Sequence, residues 1–308
     1  MSTLLIMNPH ATTVHDWVPA VIAEAFGSLG DVRVEETAYR GHARELAATA
    51  RQQRLDRVIA FGGDGTINEI VNGLLDASSD DPVPTLATVP GGHTNVVARA
   101  LGLPNDPVES TAMLLESARA NHVIELNVGR ANDRYFVFSA GLGVDAQVLR
   151  RVEEQRAQGV KASVPLYVAS ALLQFAFTSP LGKPQLQIEL PDGSSMDDVF
   201  TAIVQNLHPW TYIGTLPVTF APDARPDNGL SVYGIRSLDP VTLASFLGRA
   251  ALRPDWLDDG RAAHDLSGFT VRSRQPLPLQ VDGDVVGDCS EVRFSLEKRA
   301  IRVLRPLE

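Results

Sequence analysis

The sequence predicts an α/β domain followed by an antiparallel β domain, a fold class of α/β plus β. Short apolar runs alternate with helical periodicity up to about residue 122, and strand runs dominate after it. The length of 308 residues also exceeds the roughly 100–200 residues of one typical domain. We therefore expect a doubly wound α/β domain over residues 1–122 and a β-sandwich-like domain over residues 123–308, whose last strand can return to the first domain.

The first domain repeats a strand and a helix. Apolar strand runs are predicted at residues 4–7, 32–34, 58–61 and 86–89, and helices at residues 18–26, 43–50, 67–75 and 94–101. Such alternation builds a parallel sheet that helices cover on both faces. Because ligand sites in these sheets lie at the carboxyl ends of the strands, the loops after Met7, Phe61 and Val89 should converge.

The second domain reads mainly as antiparallel strands. A hairpin is predicted over residues 123–129 and 135–140, with its turn at Asn132-Asp133. Further strands are predicted at residues 185–190, 199–205, 230–235, 270–274, 277–281 and 292–296. Helical periodicity is confined to residues 145–158, 163–177 and 239–252. Turn residues at 191–193 and at Asp282-Gly283 favour tight connections between strands.

Composition excludes several classes of function. The chain has 27 Lys and Arg against 37 Asp and Glu, a net charge of −10, whereas a nucleic-acid binder needs a basic surface. Cys289 is the only cysteine, so an internal disulfide and a cysteine-based zinc site are excluded. No export signal or membrane-spanning run is present, which predicts a cytoplasmic protein with at most transient peripheral membrane contact.

A glycine-rich loop, Gly62 to Thr66, lies between a predicted strand and a predicted helix. Its three glycines would allow positive φ angles and a close approach to a ligand. Thr66 with Glu69 matches a capping box, and the amino end of the helix would favour phosphate oxygens. A tight turn would explain the glycines alone, but Asp64 among them suggests metal handling or proton transfer.

A second such loop, Pro90 to Asn95, comes one strand and one helix later. Two glycine-rich loops at neighbouring strand ends favour a nucleotide site more than either loop alone. Neither loop is a Walker A sequence or a Gly-x-Gly-x-x-Gly motif. His93 within this loop could contact phosphate or the nucleoside.

The two loops together resemble the bacterial diacylglycerol kinase family, which shares its catalytic domain with sphingosine kinases. The resemblance extends over nearly the whole chain, and its motifs occur in the family's order. Beyond the two loops, the matching segments are Asn8-Pro9, Thr37 with His42-Ala43, Gly141 to Asp145, Pro222 to Leu230, and Val281 to Asp284.

This resemblance implies ATP- and Mg²⁺-dependent phosphorylation of a lipid hydroxyl, with diacylglycerol converted to phosphatidic acid, in a cleft between a nucleotide-binding and a substrate domain. The implied nucleotide-binding residues are Asn8, Pro9, Thr37, Gly62, Gly63, Asp64, Gly65, Thr66, Asn68, Glu69, His93, Thr94 and Asn95. The implied catalytic residues are Asp282, Asp284 and Asp64. A structural metal in relatives lies near a turn that here holds Arg225, Asn228 and Leu230, partly through main-chain oxygens.

Three positions depart from the family pattern. Asp284 stands where the family usually has glutamate, which leaves open whether Asp282 or Asp284 is the base. Asn228 replaces the second aspartate of the metal turn and should weaken magnesium binding there. His93 stands where relatives commonly have threonine or serine.

The residues of the Asp282 turn suit a kinase independently of the family. A carboxylate that accepts the proton of the acceptor hydroxyl assists phosphoryl transfer. Asp-Gly is also the commonest solution for a hairpin turn, so Asp282 alone would favour a structural reading. In combination with the two glycine loops, we interpret the turn as catalytic.

The lipid partner is predicted at a membrane surface. The apolar residues 166–177, preceded by Arg150, Arg151, Arg156 and Lys161, could form an acyl-binding wall or pack on the sandwich. Trp210 and Tyr212 could line the same opening or lie in the core. A homodimer is compatible with the sequence, which contains no specific signal for one.

Two alternatives remain from the sequence. An NAD kinase-like enzyme also carries Gly-Gly-Asp-Gly, but the Pro-Thr-Gly-Ser-Thr-type loop of such enzymes is missing here. A catalytically silent nucleotide- or lipid-binding protein is compatible with the departures at His93, Asn228 and Asp284. ATP turnover in the presence of lipid would separate the silent protein from a kinase.

Overall fold

The computed structural model describes residues 1–11, 17–76, 80–143, 146–147, 149–150, 184–237, 248 and 261–307. The helices predicted over residues 145–158, 163–177 and 239–252 lie almost entirely outside them. The chain forms two compact units. The first unit comprises Met1–Val128 together with Glu297–Glu308, and the second comprises Gly129–Leu296. The sequence predicts the boundary between residues 122 and 123, six residues before the one in the structure.

The first unit is a parallel sheet with helices on both faces. Its elements are β1 (Ser2–Met7), α1 (Val18–Gly27), β2 (Asp31–Glu36), α2 (His42–Gln52), β3 (Arg57–Gly62), α3 (Asp64–Leu74), β4 (Thr85–Pro90), α4 (Val96–Ala100) and α5 (Pro107–Arg119). The strand order is β2-β1-β3-β4, and every pair among them is parallel. The end of β16 (Asp284–Leu304) adds a fifth parallel strand, with Val303 beside Leu86.

The alternation of apolar side chains in these strands explains the two helical layers. One set of buried strand residues, including Leu5 and Ile59, packs with Ile22 and Phe26 of α1 and Leu114 of α5. The neighbouring strand residues are also fully buried and point to the opposite face, where α2 and α3 pack together. The sheet is therefore doubly wound, as the sequence predicts.

The second unit is built from antiparallel strands. These are the end of β5 (Val123–Ala131), β6 (Arg134–Phe136), β7 (Ser139–Gly143), β8 (Leu186–Glu189), β9 (Ser195–Val199), β10 (Thr201–Gln205), β11 (Thr211–Ile213), β12 (Leu216–Val218), β13 (Leu230–Ile235), β14 (Ala262–Leu266), β15 (Gly268–Val281) and the first part of β16. The main order is β14-β13-β10-β7-β15-β16, with β8 and β9 added on β15. A single apolar cluster, which includes Phe136, Leu142, Ile188, Val204 and Phe294, forms its core.

Most predicted elements are present, and the fold class is confirmed. The hairpin with its turn at Asn132 is present as β5 and β6. The strands predicted at residues 270–274 and 277–281 are both present and are joined in the single strand β15, whose pairing with β16 shifts register between Arg272 and Leu277 and again between Leu279 and Gln280. Helix α5 was not predicted, although Asp106 before Pro107 is a strong helix-start signal, and its carboxylate accepts from two amides of the first turn.

Candidate active site

The loops that follow β1, β3 and β4 converge at the carboxyl edge of the first unit's sheet. The Asn8 amide donates to the Phe61 carbonyl over 3.1 Å, and the Gly91 amide donates to the Gly62 carbonyl over 2.9 Å. After β2, the Thr37 amide donates to the carbonyl of Met7 over 2.8 Å. The convergence predicted from the strand order is therefore confirmed.

The glycines of the two loops allow the loops to pack backbone against backbone. A Cβ atom on Gly92 would lie 2.6 Å from the Cα of Gly63, and one on Gly91 would lie 3.0 Å from the Cα of Gly62. The prediction of positive φ angles is wrong, because Gly62, Gly63 and Gly65 all lie outside that region. Close approach between the loops, rather than an unusual backbone conformation, explains these glycines.

The carboxylate of Asp64 connects the two loops. Its Oδ2 accepts from the Val96 amide and its Oδ1 from the Val97 amide, both over 3.0 Å, at the start of α4. Burial raises the pKa of Asp64, while these two hydrogen bonds and the charge of Arg99 act in the opposite direction. The sequence shows no sign of this contact, since the partners are backbone groups 32 and 33 residues away. Its geometry is that of a positioning residue.

Helix α3 starts earlier than the capping box requires, so that prediction is wrong. The helix begins at Asp64 after the extended Gly63, with no side-chain cap, and Thr66 lies within its first turn. Glu69 instead uses Oε1 to accept from the Gly41 amide over 2.9 Å. This bond ties α3 to the loop that precedes α2. The uncapped amino end of α3 remains suited to phosphate oxygens.

The side chain of Asn8 links the first loop to α3. Its Nδ2 donates to Oγ1 of Thr66 over 3.2 Å, and its Oδ1 accepts from the amide of His10 over 3.0 Å. Asn8 is half-buried and Pro9 is exposed. Asn8 therefore lies where a ligand above α3 could contact it.

Two predicted nucleotide-binding asparagines are buried, Asn68 within α3 and Asn95 within the second glycine loop. Asn68 and Asn95 are only 1% and 2% exposed. Nδ2 of Asn72 donates to Oδ1 of Asn68 over 3.2 Å. Asn95 accepts from the Gly92 amide over 2.8 Å and donates to Oδ1 of Asn105 over 2.6 Å. The contacts of Asn95 shape the second loop from within, whereas the contact of Asn68 lies inside α3.

Only some of the predicted nucleotide-binding residues of the first unit are exposed enough for a ligand to reach. His93 is exposed, and Thr37 and Thr94 are half-buried. The structure thus brings the predicted nucleotide-binding residues together but divides them into residues that build the loops and residues that face outward.

The Asp282 turn belongs to the second unit and connects β15 to β16. Asp282 and Gly283 have φ angles of 47° and 84°, and Val281 pairs with Asp284 across the turn. Positive φ at both central residues is typical of a type I′ hairpin turn. Asp284 is half-buried at the first position of β16.

The Asp282 carboxylate is buried and accepts hydrogen bonds from three successive amides. Its oxygens accept from Val137 over 2.7 Å, Phe138 over 2.9 Å and Ser139 over 3.1 Å. Asp282 as a whole residue is only 3% exposed. These partners lie 143 to 145 residues away in the chain, so no local pattern could indicate them.

The turn predicted to hold a metal is closed by its own hydrogen bonds. Nδ2 of Asn228 donates to the carbonyl of Asp223 over 2.8 Å, and its amide donates to the carbonyl of Arg225 over 3.1 Å. Leu230 is fully buried in β13. Within the described part of the chain, no group of three or more His, Cys, Asp or Glu residues is placed to hold a metal. The metal at this turn, which would be held partly by main-chain oxygens, stays a prediction.

Comparison with known proteins defines the class. Residues 2–131 match the model of the diacylglycerol kinase catalytic domain. A solved structure of a diacylglycerol kinase from Bacillus anthracis str. Sterne matches with a TM-score of 0.75 and 22% identity, over 99% of this chain and 96% of that one. The structural match supports the fold, and the domain match supports a lipid kinase.

Two curated proteins are similar to this chain. A diacylglycerol kinase of Bacillus subtilis (strain 168) is 27% identical over 300 residues, covering 94% of this chain and 91% of its own. A probable YegS-like lipid kinase of Chromohalobacter salexigens is 35% identical over 150 residues, covering 47% of this chain and 45% of its own. The resemblance seen in the sequence is confirmed, and the domain match and the nearly full-length relative both support a lipid kinase.

Among the residues that the structure describes, no helix is both long and apolar enough to cross a membrane.

Proposed function

We propose that this chain transfers the γ-phosphoryl group of ATP to the free hydroxyl of diacylglycerol and thereby forms phosphatidic acid. The observation that supports this most directly is the pair of glycine loops packed at the carboxyl edge of a parallel sheet, in a domain that matches the diacylglycerol kinase catalytic domain. A nearly full-length relative named as a diacylglycerol kinase supports the choice of acceptor.

The uncapped start of α3, with the half-buried Asn8 and the largely buried Thr66 beside it, suits the phosphates of a nucleotide. Amides at a helix amino end and nearby hydroxyl and amide side chains, here Asn8 and Thr66, stabilise phosphate oxygens. When bound, ATP supplies the phosphoryl group and Mg²⁺ neutralises charge on its oxygens. Asp64 keeps the two loops in register through its bonds to Val96 and Val97.

Of the two aspartates at the turn, Asp284 is the better base. Asp282 would lose hydrogen bonds from buried amides on accepting a proton, and leaving such donors unpaired costs about 1–3 kcal/mol each. Asp284 is half-buried, and the rigid Asp282 turn fixes the start of its strand. Asp284 accepts the proton of the acceptor hydroxyl in this proposal, and Asp282 is a positioning residue.

The test is transfer of labelled γ-phosphate from ATP to dioleoylglycerol, sphingosine, monooleoylglycerol and NAD, each with Mg²⁺. Label on dioleoylglycerol is the expected result. Label on NAD alone would instead support an NAD kinase-like enzyme, and ATP binding without transfer to any acceptor would support a silent binding protein.

The same assay separates the roles of the two aspartates. Asp284→Asn should lower kcat by about 10²–10⁴-fold, the contribution typical of general acid-base catalysis, with an unchanged melting temperature. Asp284→Glu is the matched control and should retain most activity. Asp282→Asn should lower the melting temperature, because its amide group would face a backbone donor. Full activity of Asp284→Asn would contradict its assignment as the base.

A further inference from the structure

The hairpin of β11 and β12, with Trp210 at its base, is set apart from the large sheet. Ile213 pairs with Leu216 and Tyr212 with Pro217, and the turn between them is Gly214-Thr215. Among the described strands, these two pair only with each other. We refer to residues 210–218 as the aromatic hairpin.

The aromatic hairpin lies in an uncharged stretch of sequence. Between Asp198 and Asp223 there is no Asp, Glu, Lys or Arg. In a chain with 21% charged residues, an exposed hairpin without charge needs a reason.

Two apolar residues of the aromatic hairpin, Leu216 and Pro217, are exposed. Leu216 is 40% exposed, Pro217 is exposed, and Tyr212 and Trp210 are half-buried. Trp210 packs on the buried ring of Phe220, with the ring centroids 5.0 Å apart. The base of the hairpin is thus anchored on the buried Phe220, while Leu216 and Pro217, beside the exposed Gly214-Thr215 turn, present an uncharged surface.

We infer that the aromatic hairpin enters the interfacial region of a lipid bilayer; this inference rests on the proposed function, whose acceptor lipid resides in a bilayer. Trp and Tyr favour this region, where one part of the ring is apolar and the other is hydrated. Burial of a charged side chain in the membrane would oppose insertion, but the hairpin has no charged side chain to remove from water. Because the outer backbone edges of two paired strands still need water, the hairpin enters the interface and not the hydrocarbon core.

We expect the aromatic hairpin to bind bilayers that carry no excess negative charge. The chain has a net charge of −10, so anionic headgroups would repel it, and the hairpin has no basic residue to offset this. Binding should therefore occur on phosphatidylcholine vesicles, persist at high salt, and weaken when phosphatidylserine is added. A polybasic contact would show the reverse dependence on both.

Leu216→Asp tests the contact, with Leu307→Asp as a matched control. Leu307 is 48% exposed and belongs to the other unit, so the two variants share substitution, exposure and charge change. In cosedimentation with phosphatidylcholine vesicles, Leu216→Asp should weaken binding about tenfold, since loss of a buried Leu side chain has this magnitude. Leu307→Asp should bind like the wild type. Equal effects of the two variants, or no binding by the wild type, would overturn the inference.

Tryptophan fluorescence gives an independent readout. A protein in which Trp210 is the only tryptophan, made by Trp17→Phe and Trp256→Phe, should be quenched by brominated phosphatidylcholine. A protein that keeps Trp17 but carries Trp210→Phe and Trp256→Phe should not be quenched. Quenching of Trp17 instead of Trp210 would place the contact elsewhere and overturn the inference.

A soluble acceptor separates this inference from the proposed function. Leu216→Asp should phosphorylate water-soluble dihexanoylglycerol at the wild-type rate but lose about tenfold on dioleoylglycerol in vesicles. Activity on both lipids that is unaffected by Leu216→Asp would overturn the inference and leave the function intact. Leu216-dependent vesicle binding by a wild type that phosphorylates neither lipid would overturn the function instead.

Discussion

The Asp64 carboxylate combines burial with two short backbone contacts, and this combination has a measurable consequence. Burial raises its pKa above the ordinary value of 3.8, while the amides of Val96 and Val97 oppose the shift. Asp64 is half-buried, and its carboxylate acts through what it holds in place. Here it holds the start of α4 against the loop that opens α3.

Asp64→Asn should greatly reduce turnover while the protein remains folded, because its amide group would face one of the two donors and displace α4. The measurement is γ-phosphate transfer together with circular dichroism. Near-wild-type turnover by the folded variant would contradict the importance of Asp64 to the nucleotide loops. Asp133→Asn, at a fully exposed side chain, is the control.

The raised pKa of Asp64 predicts how the free energy of unfolding of the wild type, relative to that of Asp64→Asn, depends on pH. Because Asp64 binds its proton more tightly in the folded than in the unfolded chain, its contribution to the free energy of unfolding is fully present below pH 3.8. That contribution decreases as the pH rises through the raised pKa and is then constant. In urea unfolding, the wild type should therefore lose stability relative to Asp64→Asn over this window, whereas an increase would contradict the direction of the shift.

At the level of elements, the two glycine loops function as one packed unit. Gly63 and Gly92 face each other closely: a Cβ on Gly92 would lie 2.6 Å from the Cα of Gly63, and one on Gly63 would lie 3.3 Å from the Cα of Gly92. The loops therefore shape each other before any ligand binds, and a change in one loop should alter both.

Gly92→Ala tests this packing directly. Its Cβ would lie 2.6 Å from the Cα of Gly63, so the backbone must shift, at a cost of about 1–3 kcal/mol in the free energy of unfolding. We expect ATP affinity, measured by calorimetry, to fall with it. Gly27→Ala is the control, because open space surrounds that position and alanine favours a helix. Equal stability of the two variants would show that the loops do not require close contact.

The sequence predicts the elements that depend on local patterns. Buried strand runs such as Leu4 to Met7, and the Asp282-Gly283 turn, follow from periodicity and turn chemistry. The start of α3 is misplaced because Thr66 and Glu69 satisfy a local pattern that tertiary contacts override. The roles of Asp64 and Asp282 depend on distant backbone amides, which no local pattern encodes.

At the level of the whole molecule, the chain leaves the first unit through β5 and returns to it through the end of β16. Ile301, Val303 and Leu304 are at most 1% exposed, and Val303 lies beside Leu86 of β4. The two glycine loops both precede residue 100, yet the sheet that supports them includes residues from the end of β16. Completion of the first unit's sheet therefore requires residues up to Leu304.

Leu304→Ala should consequently affect nucleotide binding from a position far from the loops in sequence. Truncating a fully buried leucine costs about 2–5 kcal/mol, and Leu304 packs in the same apolar cluster as Phe61 and Val89, which lie next to the glycine loops. In urea, the variant should lose ATP binding at a lower denaturant concentration than the wild type. Leu307→Ala, at a half-exposed leucine three residues later, should stay within about 0.5 kcal/mol of the wild type. If both variants lost ATP binding at the wild-type urea concentration, the end of β16 would be dispensable to the first unit, and the nucleotide loops would depend only on residues that precede them or follow them closely.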